Sequence, residues 1–291
     1  MAPPRPRPLA AYQAKRDLSR SPEPSGGHPA VGAPRAYCVQ QHLASHLHYD
    51  FRLEHRGVLL SWAVPKGPSL DPTQRRLAMQ VEDHPFDYRT FEGVIPSGYG
   101  AGVVVLWDEG LWQPLTDDVD AALKKGELKF LIAGSKLRGS WVLIRTARDG
   151  DQRTWLLIKH RDQYATSRPI IESQPGSVHD GASFAQILAR TDPKQWPAQR
   201  PGAGEAAQLL EQARAQASRL RTALPRGSAT AAVWSSAKPS QHSTPSPAGA
   251  KRPAQAHTAT SASRSAGKTG ATATPKRRVR AAPKTTSARR R

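Results

Sequence analysis

The sequence predicts a mainly β fold, a barrel or a sandwich of short strands, with one or two short helices and a disordered basic C-terminal tail. Three observations lead there. Between Tyr37 and about Tyr164, short strand-like runs alternate with turn residues, the pattern of barrels and sandwiches. The aromatic residues sit almost wholly in the first 200 positions: all five Phe, all six Tyr and six of the seven Trp. Charge divides at nearly the same point. Residues 1–200 carry 26 Lys and Arg against 21 Asp and Glu, whereas residues 201–291 carry 17 against 2, within a net charge of +20. A nearly balanced folded domain is thus joined to a cationic tail.

Residues 1–36 are rich in Pro, Gly, Ser and Arg and read as a mostly flexible arm, with an ordered stretch from Tyr12 to Pro24. The barrel domain is expected over 37–165. Its first strands fall around His42 to Glu54, and Leu77, Met79 and Val81 then alternate with Ala78, Gln80 and Glu82. Val103 to Trp107 reads as a buried strand, and Asp108-Glu-Gly110 as a turn into another. Asp118 to Gly126 is the one short helical candidate in this region. Leu137 to Ile144 and Thr154 to Lys159 supply two further strands, with the turn-like Arg148-Asp-Gly-Asp151 between them. Residues 166–224 form an extension with short helices over Gly181 to Arg190 and Glu205 to Leu224. Residues 225–291 are Ala, Ser, Thr, Pro, Lys and Arg with no acidic residue, and bury too little apolar surface to offset their ordering entropy.

A single cysteine, Cys38, excludes an intramolecular disulfide and a thiolate zinc cluster; between Tyr37 and Val39 it reads as a small buried hydrophobe. The first residues lack the apolar run of a signal peptide, and the longest apolar stretch, Val103 to Trp107, is too short to cross a bilayer. A cytoplasmic, nucleoid-associated protein is expected.

The chemistry concentrates in His42-Leu-Ala-Ser-His46-Leu-His48-Tyr-Asp50-Phe-Arg52-Leu-Glu54. Side chains on a strand alternate between faces. His46, His48, Asp50, Arg52 and Glu54 therefore share one face, and Leu47, Tyr49, Phe51 and Leu53 the other. Two imidazoles, a carboxylate and a guanidinium in adjacent positions suit a metal ion beside an anion, and His42 joins them if the chain turns back between Gln41 and His46. A solvated strand face is the alternative, but three histidines within seven residues are unusual there. On the next strand Arg76, Gln80, Glu82 and His84 fall on one face; two such faces would line the polar interior of a barrel. Lys66 sits at a Pro/Gly-framed turn, ordinarily a loop position, and Tyr88 is placed to donate to an oxyanion.

The blocks Gln40-Gln-His42, Leu47-His48-Tyr-Asp50-Phe-Arg52-Leu, Ser61-Trp-Ala-Val-Pro-Lys66-Gly-Pro and Glu82-Asp-His84-Pro-Phe-Asp-Tyr88 resemble the 3′-phosphoesterase domain of bacterial DNA ligase D. So do Phe91-Glu-Gly-Val-Ile-Pro96, Tyr99-Gly-Ala-Gly102 and Trp155-Leu-Leu-Ile-Lys159, in the expected order over about residues 12 to 165. The resemblance implies a small antiparallel β-barrel with a polar active-site pocket, and a manganese-dependent enzyme that trims damaged or ribonucleotide-bearing DNA 3′ ends before ligation in non-homologous end joining. It implies His42, His48 and Asp50 as metal ligands, a set that suits Mn²⁺ or a related divalent ion. It places the scissile phosphate among Arg52, Lys66, Arg76, His84 and Tyr88, with Gln40 nearby. Arg16, Asp17 and Glu23 in the arm match the spacing of family residues needed to remove the terminal nucleoside.

No Ser, Cys or Asp stands out as a phosphorylated nucleophile, so direct attack by a metal-activated water is expected, with His84 protonating the leaving oxygen. The chain reads as a stand-alone version of the domain, with its tail supplying DNA affinity, and with Ku and a separate DNA ligase as expected partners. Three positions depart from the family pattern: Gln41 and His46 replace common basic residues, and Pro96-Ser-Gly-Tyr99-Gly is one residue short. Two rival readings are a non-haem iron oxygenase, which also uses two His and a carboxylate, and a histone-like DNA-binding protein with a catalytically silent barrel.

Overall fold

A computed structural model describes residues 8–19, 21–26, 35–146, 152–197 and 204–223. The expected tail, 225–291, and the turn at Arg148–Asp151 lie outside the described residues. The chain order is α1 (Ala10–Ala14), β1 (Ala36–Leu43), β2 (Leu47–His55), β3 (Val58–Val64), β4 (Arg76–Gln80), β5 (His84–Pro85) and a 3₁₀ helix (Phe86–Thr90). There follow β6 (Gly93–Ile95), β7 (Gly102–Pro114), α2 (Val119–Lys125), β8 (Glu127–Gly134), β9 (Arg138–Arg145) and β10 (Thr154–Lys159). Three helices complete the described chain: α3 (Ile170–Ser173), α4 (Phe184–Arg190) and α5 (Glu205–Ala223).

Eight strands close a ring in the order β1-β2-β3-β4-β10-β9-β8-β7, and β7 pairs back onto β1. All of these pairings are antiparallel. The fold is thus mainly β and a closed antiparallel barrel, as the resemblance implied and as one of the two architectures that the strand spacing allowed. β6 adds to β7 and β5 to β3, outside the ring.

The interior of the ring is apolar rather than polar. Tyr37, Val39, Phe51, Leu53, Leu60, Phe130 and Leu143 point inward, together with Trp62, Trp107, Trp141 and Trp155, each 0–1% exposed. An eight-stranded barrel is just wide enough for its own side chains, and five indoles, these four and Trp112, belong to its core. Trp62 and Trp155 meet edge to face, with centroids 6.0 Å apart. The polar face of β2 therefore lies on the outer wall of the barrel. There it is covered by the arm, by the 3₁₀ helix and by β6 through a second apolar cluster of Tyr12, Leu59, Tyr88, Phe91, Ile95 and Val104. Burial on both sides explains why the last seven residues of β2 are all buried.

The expected turn at Asp108-Glu-Gly110 is absent: β7 runs unbroken for 13 residues. Its register against β1 shifts by one residue, Gln40 facing Leu106 and Val39 facing Asp108. This bulge at Trp107 bends the strand where a turn was expected. Asp108 is buried because its carboxylate accepts from the backbone N–H of Lys136 (2.9 Å) and Leu137 (2.8 Å) and from the Tyr37 hydroxyl. A turn signature in the sequence is here a buried acceptor joining β1, β7 and the β8–β9 connection.

α2 follows its sequence signals closely. Asp118 accepts from the N–H of Ala121 at 2.9 Å, and Gly126, at φ +88°, ends the helix in the left-handed conformation. α4 carries a capping box of Ser183 and Gln186. With α5 it covers Val94, Val103 and Val105 through Ile187, Leu188, Ala213 and Ala217. α1 and α3, of five and four residues, are too short to register as a helical period. Cys38 is buried and unpaired, and burial pushes its thiol up to about 12. No helix among the described residues is long and apolar enough to cross a membrane.

Candidate metal centre and phosphate pocket

β1 and β2 form a hairpin whose turn is Ala44-Ser-His46, so the chain does turn back and sets His42 directly opposite His48. Their rings lie 4.8 Å apart. Asp50 follows two residues along the same face. His42 Nδ1 is 3.5 Å from Asp50 Oδ2, and His48 Nε2 is 3.6 Å from Asp50 Oδ1. One ligand atom from each residue lies within 4.8 Å of the others. Gly102 lets β7 pass close by, since a Cβ there would meet the Leu43 carbonyl and the His42 ring.

The outer nitrogen of each ring is committed to a backbone carbonyl: His42 Nε2 to Gly100 O at 2.9 Å and His48 Nδ1 to His46 O at 3.0 Å. A carbonyl only accepts, so these nitrogens carry the protons, and the lone pairs of His42 Nδ1 and His48 Nε2 face the carboxylate. Lone pairs aimed at a carboxylate oxygen repel it unless a cation stands between them. Donors around one divalent ion sit roughly 3–4 Å apart when each bond is about 2.1 Å, which the two His–Asp separations match. The donor set fits a borderline transition-metal ion. Burial, His42 and Arg52 hold His48 below its ordinary value against the pull of Asp50, so it is neutral and ready to ligate. Burial alone would raise Asp50; the Arg52 guanidinium outweighs it and holds the carboxyl well below the usual range.

Arg52, 2% exposed, is the floor of the site. It donates from Nε to Gln40 Oε1 (2.8 Å) and from Nη1 to Ser61 Oγ (2.8 Å), and Nη2 lies 3.2 Å from Asp50 Oδ2. Its guanidinium also lies 5.0 Å from the centroid of the Tyr88 ring. Three of its five N–H groups are thus engaged, leaving others beside the metal ligands for an anion's oxygens.

The arm supplies the opposite wall. Arg16 donates from Nε to Glu23 Oε1 (2.8 Å), from Nη1 to Glu82 Oε1 (3.0 Å) and from Nη2 to His84 Nε2 (3.1 Å). Tyr88 donates its hydroxyl to Glu23 Oε1 at 3.0 Å, so this group is already committed. His84 Nδ1 bonds the Glu82 carbonyl at 2.9 Å. With its second nitrogen accepting from Arg16, His84 is a neutral imidazole; burial, Arg52 and Arg16 hold it well below its ordinary value.

Of the residues singled out in the sequence, His42, His48, Asp50, Arg52, His84, Tyr88, Arg16 and Glu23 line one pocket. Gln40 does not line it. It is fully buried, donating to Tyr88 O (2.9 Å) and Phe91 O (2.8 Å) while accepting from Arg52. Lys66 is on the exposed turn after β3, away from the pocket lining. Arg76 also lies outside it. Gln80 pairs with Trp62 and Arg76 with Leu157, so both share the inward face of β4, whereas Glu82 and His84 come after β4 has ended at Gln80. The period-two reading of Arg76 to His84 fails because the strand stops partway. Asp17 is exposed and bonds Ser19 at 2.6 Å. His46 is exposed in the hairpin turn, and Gln41 donates to the Tyr49 hydroxyl at 2.9 Å. Lys15, which the sequence did not single out, forms a pocket-side ion pair at 2.9 Å with Glu82, which the strand pattern groups with His84 but gives no role. The signal for Glu82 was its position two residues before His84.

A barrel carrying a His-His-Asp cluster with a buried guanidinium alongside is suited to hold a divalent metal ion next to an anion. Residues 40–145 match the DNA Ligase D 3′-phosphoesterase domain, and this stretch of the chain is a domain of that family. Over 202 residues it is 52% identical to the multifunctional non-homologous end joining protein LigD of Pseudomonas aeruginosa, covering 67% of this chain and 24% of that one. The LigD DNA repair protein of Mycobacterium tuberculosis is 42% identical over 157 residues, covering 53% of this chain and 20% of its own. That of Mycolicibacterium smegmatis is 36% identical over 195 residues, covering 65% and 24%. The chain therefore matches about a quarter of the length of these curated relatives.

Proposed function

We propose that the domain is a Mn²⁺-dependent hydrolase of DNA 3′ ends, removing 3′-ribonucleosides and 3′-phosphates during repair by non-homologous end joining. The observation that carries this reading is the contact between Arg52 and Asp50 at 3.2 Å, which puts guanidinium N–H groups directly beside the three metal ligands. A phosphate oxygen there meets a fixed donor that needs no reorganisation as charge builds up. An oxygenase would need groups for an organic cosubstrate in place of these cations.

His42, His48 and Asp50 would hold the ion, which supplies an activated water and neutralises phosphate charge. Arg52 grips the scissile phosphate. Lys66 and Arg76 are not assigned to it, because neither lines the pocket. His84 enters the reaction neutral, its Nε2 accepting from Arg16; when Arg16 turns to the bound phosphate, Nε2 is free to take up a proton from solvent and to give it to the leaving oxygen. Glu23, Glu82 and Tyr12 hold Arg16 over the pocket. DNA ends are the substrate in this reading, and Ku and a ligase its partners in the cell.

The test is incubation of primer–templates ending in a 3′-ribonucleoside or a 3′-phosphate with the protein, with Mn²⁺ or with EDTA. Metal-dependent release of nucleoside and phosphate is expected. No processing of either end under any divalent metal would overturn the proposal.

A further inference from the structure

One ring at the pocket rim has no role in the proposed chemistry. Tyr99 lines the same pocket as Asp50 and His84 yet is 51% exposed, more than any other aromatic side chain among the described residues. It sits in a glycine-flanked loop, Gly98 at φ +85° and Gly100 at φ +78°, and Gly100 O is the acceptor that orients His42. Lys15 Nζ lies 4.8 Å from the ring centroid and the Arg16 guanidinium carbon 5.4 Å. The same guanidinium lies 4.0 Å over Tyr12, so Arg16 contacts two tyrosine rings.

The charges at this rim are already matched. Lys15 and Arg16 pair with Glu82, and Arg16 with Glu23. A second phosphate gains little from cations so engaged. What the rim offers is an open aromatic surface braced by two cations, the arrangement on which bases of single-stranded nucleic acid stack without regard to sequence.

We propose that Tyr99 is the stacking platform for the terminal nucleobase of the 3′ end whose phosphate enters the pocket. This rests on the function proposed above and deepens it. The enzyme then favours ends that still carry a base over ends that have lost it, and a bare 3′-phosphate draws nothing from this contact.

The experiment compares wild type, Tyr99→Ala and Tyr99→Phe on three primer ends: a 3′-ribonucleoside, a 3′-terminal abasic ribose and a 3′-phosphate. Tyr99→Ala is expected to lower kcat/KM for the base-bearing end on the order of tenfold or more. The other two ends should be unaffected, and Tyr99→Phe should restore the loss. Equal losses on all three ends would overturn the proposal, making Tyr99 only an anchor for the loop that orients His42; no loss on any end would overturn it too. A second readout needs no hydrolysis: the fluorescence of a primer ending in 3′-2-aminopurine, which stacking quenches. Quenching by wild type and Tyr99→Phe but not by Tyr99→Ala is expected, and equal quenching by all three would refute stacking. A wild type inert towards every end overturns the hydrolase assignment, while the fluorescence comparison still decides the platform.

Discussion

Gln40→Leu separates a structural strut from a substrate contact. Gln40 is fully buried and joins three groups: Arg52 Nε, Tyr88 O and Phe91 O, at 2.8, 2.9 and 2.8 Å. Leucine has nearly the same volume and none of the polar atoms. Tyr88 O keeps a partner, the Phe91 N–H at 3.0 Å, so its loss is small, roughly 0.5–1 kcal/mol. Stranding Phe91 O costs about 1–3 kcal/mol, and stranding the charged Arg52 N–H about 1.5–3. Burying the added apolar surface returns about 1–2 kcal/mol. The net loss is about 1–6 kcal/mol, a fall in Tm on the order of 10 °C for a domain of this size. Urea unfolding at constant m-value measures it, together with kcat and KM well below the transition. Arg52 loses one of its fixed bonds, so kcat should also fall. An unchanged unfolding midpoint with a raised KM alone would refute the strut and return Gln40 to the substrate.

Three further outcomes are expected. Asp50→Asn should weaken Mn²⁺ binding on the order of a hundredfold or more, since a carboxylate ligand is lost; electron paramagnetic resonance of free Mn²⁺ reads this, and unchanged affinity would exclude the triad. Burial raises Glu82, but its bonds to Lys15 and Arg16 prevail and hold it below its ordinary 4.5. The stability that Glu82 lends the arm is therefore present above pH 4.5 and lost as pH falls through the lowered value. Limited proteolysis of residues 8–26 should accelerate there, and Glu82→Gln should be cleaved faster already at neutral pH with a flatter profile. His84→Ala should remove the alkaline limb of the kcat profile, the limb on which protonated His84 is lost; a profile unchanged in shape removes the proton-donor role.

The parts of the site that could be read from the sequence are those carried by one strand. His48, Asp50 and Arg52 alternate on β2, and period two was enough to group them. His42 needed only a turn of three residues. Reading failed where the chain changed element midway. β4 ends at Gln80, so Arg76 and His84 part company although their spacing suits a single strand. Asp108 and Gly110 look like a turn because nothing local shows the three donors that Asp108 meets, one from β1 and two from the β8–β9 connection. The outward position of the polar face was likewise hidden, since only the combined volume of five indoles shows which side of β2 is full. Arg16 and Glu23 were found by resemblance, and their mutual contact depends on an arm that folds back over the barrel.

Because β1 is zipped to β2 on one edge and to β7 on the other, neither strand of the metal hairpin can slide alone. In an open hairpin a slip of one residue is a local event; in a closed ring it must be accommodated all the way round, and it would turn every side chain of β1 to the wrong face. The spacing between His42 and His48 is therefore held by topology as well as by local contacts. Thermal motion can breathe the pocket but cannot re-index it, so the centre should keep its ligand geometry until the barrel itself opens.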